Sequence, residues 1–236
     1  MSGIIVLADC PRSIDGSEVS WRAITTIRLS VGQIHRLKQP IIIPHAIGGG
    51  AGQASGPTGG PVVPPAGPAA GEQALEIANR QRTKRIQLRL LRQIAVHLLA
   101  KELGLASWNL SLCLLAAPAM TRLNEAFVGH AGSTDVITFD YSERAPGIPP
   151  AEPGSAAEAL HGEIFICVDE ALLQARRFGT SWPAEVVRYL VHGVLHLRGF
   201  DDLQSADRRR MKREENRLHR ALAARFPLDR LAPALP

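Results

Sequence analysis

Residues 192–202 read His192-Gly193-Val194-Leu195-His196-Leu197-Arg198-Gly199-Phe200-Asp201-Asp202. His192 and His196 are four residues apart, so on a helix they share one face, a turn apart. That spacing lets two imidazole nitrogens reach one metal ion about 2 Å from each. The intervening residues are apolar or small, which suits a helix buried on its other faces. Gly199 can take a positive φ and end that helix. The chain then turns back, and a residue six beyond His196, here Asp202, can supply a third ligand. Three protein ligands leave a position for water, which is the layout of a catalytic site. The same spacing also fits two hydrogen-bonded core histidines, with Asp201 and Asp202 capping the next helix. A zinc peptidase of the HExxH kind carries its general base directly after the first His. Here that position is Gly193. A His–His–Asp set is harder and more anionic than three histidines, so it should accept Mn²⁺ or Fe²⁺ as well as Zn²⁺. It should also acidify a bound water less.

Working outward, the spacing predicts a helix over Pro183–Leu197, another over Asp169–Phe178, and a last one from about Ser205 to Ala224. Gly162–Val168 and Val136–Phe139 read as strands. Trp108–Leu114 alternates, with Trp108, Leu110, Leu112 and Leu114 on one face and Asn109, Ser111 and Cys113 on the other, as in a half-buried strand. Pro118 can open a helix reaching about Phe127. Leu75–Asn79 is a short strand, followed by a helix in which Leu91, Ile94, Leu98 and Leu99 recur at helical spacing and Gly104 is the stop. Residues 145–156, with Pro146, Pro149, Pro150 and Pro153, read as a loop. Strands come first and helices gather at the end. The expected fold is therefore α/β or α+β, with a small mixed sheet packed with helices.

The regular patterning covers residues 73–230, a comfortable single domain. Before it, Gly48–Gly71 holds 9 Gly and 5 Pro in 24 residues with no charged side chain, so 46–72 is expected to be a disordered linker. Residues 1–45 hold two short apolar runs, Ile4–Ala8 and Ile41–Ile43. They read as a weakly ordered tail, or as sequence upstream of the true start codon, rather than an appended module, because so short a segment rarely builds a core alone. The N-terminal run ends at once in Asp9, Cys10, Pro11 and Arg12, which is not a signal-peptide pattern. No apolar stretch approaches the length of a membrane span. The three cysteines, Cys10, Cys113 and Cys167, form no CxxC pair, which argues against a disulfide framework and a thiolate zinc site. Cys113 and Cys167 are expected in the core, and His45, His97, His161 and His219 have no metal spacing. The expected location is the reducing cytoplasm, with no membrane partner.

Taken together, these segments resemble the YbeY endoribonucleases, bacterial rRNA maturation factors. The family pattern HGxLHLxGYDH is matched by HGVLHLRGFDD at 192–202. Its LNxxYRGxxxPTDVLSFP is matched by LNEAFVGHAGSTDVITFD at 123–140. Its GDIVIS strand is similar to the segment from Gly162, and its MxxxE helix fits Met211 and Glu215. The resemblance spans about 73–225 and implies a zincin-like α/β domain. It also implies a single-strand-specific, metal-dependent endoribonuclease acting on rRNA of the small ribosomal subunit, in 16S 3′-end maturation and ribosome quality control. The family's zinc is held by three His. His192 and His196 match two of them, and Asp202 stands in the place of the third. Asp201 matches the family's own Asp, which orients the turn or a ligand His.

One departure concerns charge. The family carries an Arg four residues after the Asn of its LN pair, and here Asn124 is followed at that spacing by Val128. Arg122, His130 and Arg198 are candidate replacements for its contact to phosphate. The basic run Arg80, Arg82, Lys84, Arg85, Arg89 and Arg92 is a candidate RNA surface, though such runs also serve simply as solvated faces. The charges of the final helix (Arg208, Arg209, Arg210, Lys212, Arg213 and Arg217 among Glu214 and Glu215) read as surface support through i, i+4 pairs. Few aromatics are available for base stacking, so phosphate recognition should dominate. Three functions remain open: a metal-dependent endoribonuclease, a metal-stapled maturation factor that binds rRNA without cutting it, and a zincin-type peptidase.

Overall fold

Trp108–Leu114 alternates because its strand, β4 (Ser107–Leu115), lies inside a sheet. Trp108, Leu110, Leu112 and Leu114 all enter the main apolar core. The opposite face is more covered than a half-buried strand requires. Cys113 and Leu115 pack in a second apolar cluster with Met120, Leu123, Ile137 and Phe139. The computed structural model describes residues 3–7, 27–29, 71–141 and 159–233. The expected loop at 145–156, the run Ile41–Ile43 and nearly all of the linker 46–72 lie outside them.

The sheet contains β1 (Gly3–Leu7), β2 (Ile27–Leu29), β3 (Gln73–Asn79), β4, β5 (Val136–Asp140) and β6 (Ala159–Cys167), in the order β2-β1-β5-β6-β4-β3. β3, β4 and β6 run parallel. β5 is antiparallel to β6, and β1 and β2 continue antiparallel beyond it. The sheet is therefore mixed, as expected. Within 1–45, read from the sequence as a weakly ordered tail, the described residues are these two strands.

Helices cover both faces. α1 (Leu88–His97) continues into a π-helical turn at Leu98–Glu102 and closes at Gly104, whose φ is 63°. α2 (Ala117–Phe127) begins with a proline in its first turn, and its Ala117 N–H donates to the Asp169 carboxylate at 2.6 Å. It covers the second cluster. α3 (Val168–Phe178) ends at Gly179 in the left-handed region. α4 (Trp182–Leu197) is buried on nearly every side, between the sheet and α5 (Ser205–Arg225). Its N-terminus is capped by the Ser181 hydroxyl, which accepts from Ala184 N. A short 3₁₀ turn, Leu228–Leu231, closes over α1 and α4.

Two glycines let α4 sit close to the sheet. A Cβ on Gly193 would stand 2.8 Å from Ile164 Cγ2, and one on Gly162 would stand 2.6 Å from the Phe139 carbonyl oxygen. The helix that carries the histidines is thus seated directly on β5 and β6.

Candidate metal centre

α4 ends in a Schellman turn. Gly199 N–H donates to the His196 carbonyl and Phe200 N–H to the Leu195 carbonyl, with Gly199 at φ 81°. The Asp201 carboxylate then accepts from the backbone N–H groups of Asp202 and Leu203, at 2.7 and 3.0 Å. Of the two tasks expected of Asp201, it performs the orienting of the turn. The Arg208 guanidinium, on α5, donates to the Asp202 carbonyl. The loop is fixed at several points, and it returns Asp202 to the two histidines.

Ligand atoms of His192, His196 and Asp202 lie within 4.8 Å of one another. His196 is 3% exposed and Asp202 9%. The Nε2 atoms of His192 and His196 face each other at 3.0 Å. Each Nδ1 is engaged elsewhere. His192 Nδ1 donates to Glu215 Oε2 at 3.1 Å, and His196 Nδ1 donates to the Phe200 carbonyl at 3.0 Å. A carboxylate and a carbonyl only accept, so both Nδ1 atoms carry the proton. In their neutral forms the two rings therefore present bare Nε2 lone pairs to each other. Such a pair repels unless a proton or a cation lies between. Asp202 Oδ1 is buried and has no hydrogen-bond partner. Two nitrogens on one tetrahedral zinc stand about 3.3 Å apart, given bonds of 2.0–2.1 Å. The residues present thus fit a divalent metal held by His192, His196 and Asp202.

The electrostatics agree. Burial disfavours charge on His192, but the hydrogen bond and charge of Glu215, with Asp135 and Asp202 nearby, outweigh it and raise its pKa. His196 goes the other way: burial and the adjacent charge of His192 hold it well below the usual value. The opposite directions of the two shifts favour His192 over His196 as the ring that takes up a proton. Burial pushes Asp202 up to about 6, against the pull of His192. Glu215 is buried too, yet the His192 hydrogen bond and charge, with Lys212, hold it well below the usual carboxylate range.

Among the charges of the basic helix Glu215 reads as surface support, which is the wrong description of it, while its fit to the family's MxxxE pattern was the better guide. It is 4% exposed and lies on the buried stripe of α5 with Met211, Leu218 and Leu222. Its place four residues after Met211 and three before Leu218 was the signal available in the sequence. Asp135 is a second residue that composition did not single out. Its carboxylate accepts from Val136 N and Thr134 Oγ1, and its charge reaches His192.

The structure disperses the remaining candidates. Arg80, Arg82, Lys84, Arg85, Arg122 and His130 are exposed. Arg198 is not. It is 3% exposed and its charge acts on Glu214, so burial removes it from the exposed phosphate contacts. Arg92 donates to the Leu75 carbonyl, tying part of the basic run to β3. Val128 is buried in the cluster with Met120, Leu123 and Phe139, where an apolar side chain is the one that packs. Asn124 donates from its side chain to the Gly132 carbonyl, pinning the loop that leads to Asp135. Cys113 and Cys167 are buried free thiols, as expected.

Comparison with known proteins places this site in a family. The family model "Endoribonuclease YbeY" matches residues 76–223, more than half of the chain and the whole of the site. Endoribonuclease YbeY of Salinibacter ruber is 35% identical over 126 residues, covering 53% of this chain and 77% of that protein. The protein of the same name from Chlorobium phaeovibrioides is 35% identical over 130 residues, covering 55% and 79%. The solution structure of TM1509 from Thermotoga maritima aligns with a TM-score of 0.45 and 18% identity, over 69% of this chain and 97% of that one. No helix among the described residues is long and apolar enough to cross a membrane. On the extent of the family match and the identity to these relatives, the chain belongs to the YbeY endoribonuclease family.

Proposed function

We propose that this protein is a metal-dependent, single-strand-specific endoribonuclease. Its substrate is rRNA of the small ribosomal subunit, and its role is 16S 3′-end maturation and ribosome quality control in the cytoplasm. The observation that carries the reading is the facing pair of His Nε2 atoms beside an unpartnered Asp202 oxygen, in a chain of this family. Zn²⁺ is the metal proposed, one per chain, with Mn²⁺ or Fe²⁺ accepted by the carboxylate-bearing set. When bound, such a metal activates water or polarises a phosphoryl oxygen. His192, His196 and Asp202 hold it, and so act in catalysis through it. Asp201 shapes the turn that delivers Asp202. The exposed cations Arg80, Arg82, Lys84, Arg85, Arg122 and His130 are proposed to neutralise the RNA backbone.

A zinc peptidase of the HExxH kind carries its general base at the position that Gly193 holds here, so that reading lacks its base. A second reading rests on Val128, which is buried where the family's arginine is expected. On that reading the protein binds rRNA, keeps the metal as a staple and does not cut.

The test is to incubate the full chain with a single-stranded RNA of the 16S 3′ end and with the same sequence in a duplex, then to map the products. Cleavage of the single strand at defined positions, with the duplex spared, supports the nuclease. Retention of the RNA with no product from any metal-loaded preparation supports the maturation factor.

A further inference from the structure

Both candidate ligand histidines have their Nδ1 fixed, but by different groups. His196 meets a backbone carbonyl, whereas His192 meets a carboxylate from another helix. That carboxylate divides its work. Glu215 Oε1 accepts from Arg188 Nη1 and from Lys212 Nζ, both at 2.8 Å, while Oε2 is kept for His192. Arg188 Nη1 also donates to Asn216, and its Nε lies 3.6 Å from Glu185. A staple between α4 and α5 would not need this arrangement. Buried ion pairs are poor stabilisers compared with apolar packing, and the rest of the stripe on α5 (Met211, Leu218 and Leu222) is apolar. A charge kept in such a stripe serves the group it touches. Anionic partners behind a ligand imidazole fix its tautomer and ring angle and make its other nitrogen a stronger donor to metal.

We propose that Glu215 is a positioning residue of the metal site: with Oε1 held by Arg188, its Oε2 locks His192 with Nε2 toward the metal and sets the affinity of the site, and the exposed Lys212 is dispensable to it. The assignment rests on the metal reading above. It makes His192 the ligand whose strength is tuned by side chains and His196 the one fixed by the backbone.

The experiment compares the full-length wild type with Glu215→Gln, Glu215→Met and Lys212→Met. Three quantities are read: Zn²⁺ affinity by competition with a chromogenic chelator, the visible spectrum of the Co²⁺-loaded protein, and the melting temperature without metal. Glu215→Gln is expected to weaken Zn²⁺ binding by roughly 10–100-fold and to shift the Co²⁺ bands. Lys212→Met removes an ion pair to Glu215 but leaves the His192 contact, so its Zn²⁺ affinity should stay within about fivefold of wild type. Glu215→Met keeps the volume and removes the acceptor. It provides a folded comparison should the Gln variant melt early, and it should lose at least as much affinity. Wild-type affinity with an unshifted Co²⁺ spectrum in either Glu215 variant overturns the assignment. So does an equal loss in Lys212→Met, which would mark Glu215 as a staple. A wild type that takes up no Zn²⁺ overturns the metal reading and this assignment together.

Discussion

A carboxylate at position 202 carries a charge that a third imidazole would not, and the protein buries it. Its pKa of about 6 in the folded chain, against 3.8 as the ordinary value, has a definite consequence for stability. A group whose pKa is raised by folding stabilises the fold below its unfolded value, and that contribution is lost as pH rises through its folded value. Metal-free protein should therefore lose stability between about pH 4 and pH 6 through Asp202. Thermal melts of metal-free wild type and Asp202→Asn should coincide near pH 4 and separate above pH 6, with the variant the more stable. Parallel curves at every pH would show that Asp202 is not held protonated by the fold. Zn²⁺ should reverse the order, because the wild type alone keeps an anionic third ligand. At this scale the clustering of His192, His196 and Asp202 was legible, since spacing on a helix and a glycine turn are local features. The burial of Glu215 was not. It is decided by which face of α5 meets α4, and a basic helix rich in i, i+4 pairs looks the same in sequence whether or not one face is covered, so the match of Met211 and Glu215 to the MxxxE pattern marked the position without showing that it is buried.

Gly162 and Gly193 set how closely α4 approaches its sheet, and they should respond differently to a methyl group. At Gly193 the added Cβ meets the ends of the Ile164 side chain, which can shift, and alanine gains about 1 kcal/mol in helix propensity. At Gly162 it meets the Phe139 carbonyl at 2.6 Å, and the backbone of β5 cannot yield without breaking its pairing with β6. Overpacking typically costs about 1–3 kcal/mol. Gly162→Ala should therefore lose more stability in urea denaturation than Gly193→Ala, which should fall near neutral or below about 2 kcal/mol. The reverse ranking would mean that the helix, rather than the strand pair, is the rigid partner. The elements themselves were largely legible. The alternation at Trp108–Leu114, the apolar run that became α4 and the glycine stops at Gly104 and Gly199 all act over a few residues. The second cluster was not legible as such. Cys113 and Leu115 are buried by α2, and nothing within the strand says which helix covers its far face.

Across the whole molecule, the sheet order β2-β1-β5-β6-β4-β3 places β5 and β6, residues from separate stretches, beneath the helix that carries the two histidines. That order was the least legible feature. The pairing of β5 between β1 and β6 joins segments far apart in sequence, and no local pattern encodes it. A metal bound by His192, His196 and Asp202 would tie α4 to the loop that leads into α5, and it should stabilise the whole chain. A ligand at a hundred times its dissociation constant contributes about 2.7 kcal/mol. At about 2–4 °C per kcal/mol for a domain of this size, chelation should lower the melting temperature by roughly 5–10 °C. His196→Ala should show no such change, and a chelator effect equal in both proteins would place the metal elsewhere. The most direct measurement is cleavage of single-stranded RNA by metal-stripped full-length protein as Zn²⁺ is added back, beside His196→Ala under the same titration. Cleavage that returns with about one Zn²⁺ per chain in the wild type and stays absent in the variant is the expected result for a single catalytic site. Cleavage by the stripped protein, or cleavage restored equally in the variant, would contradict it.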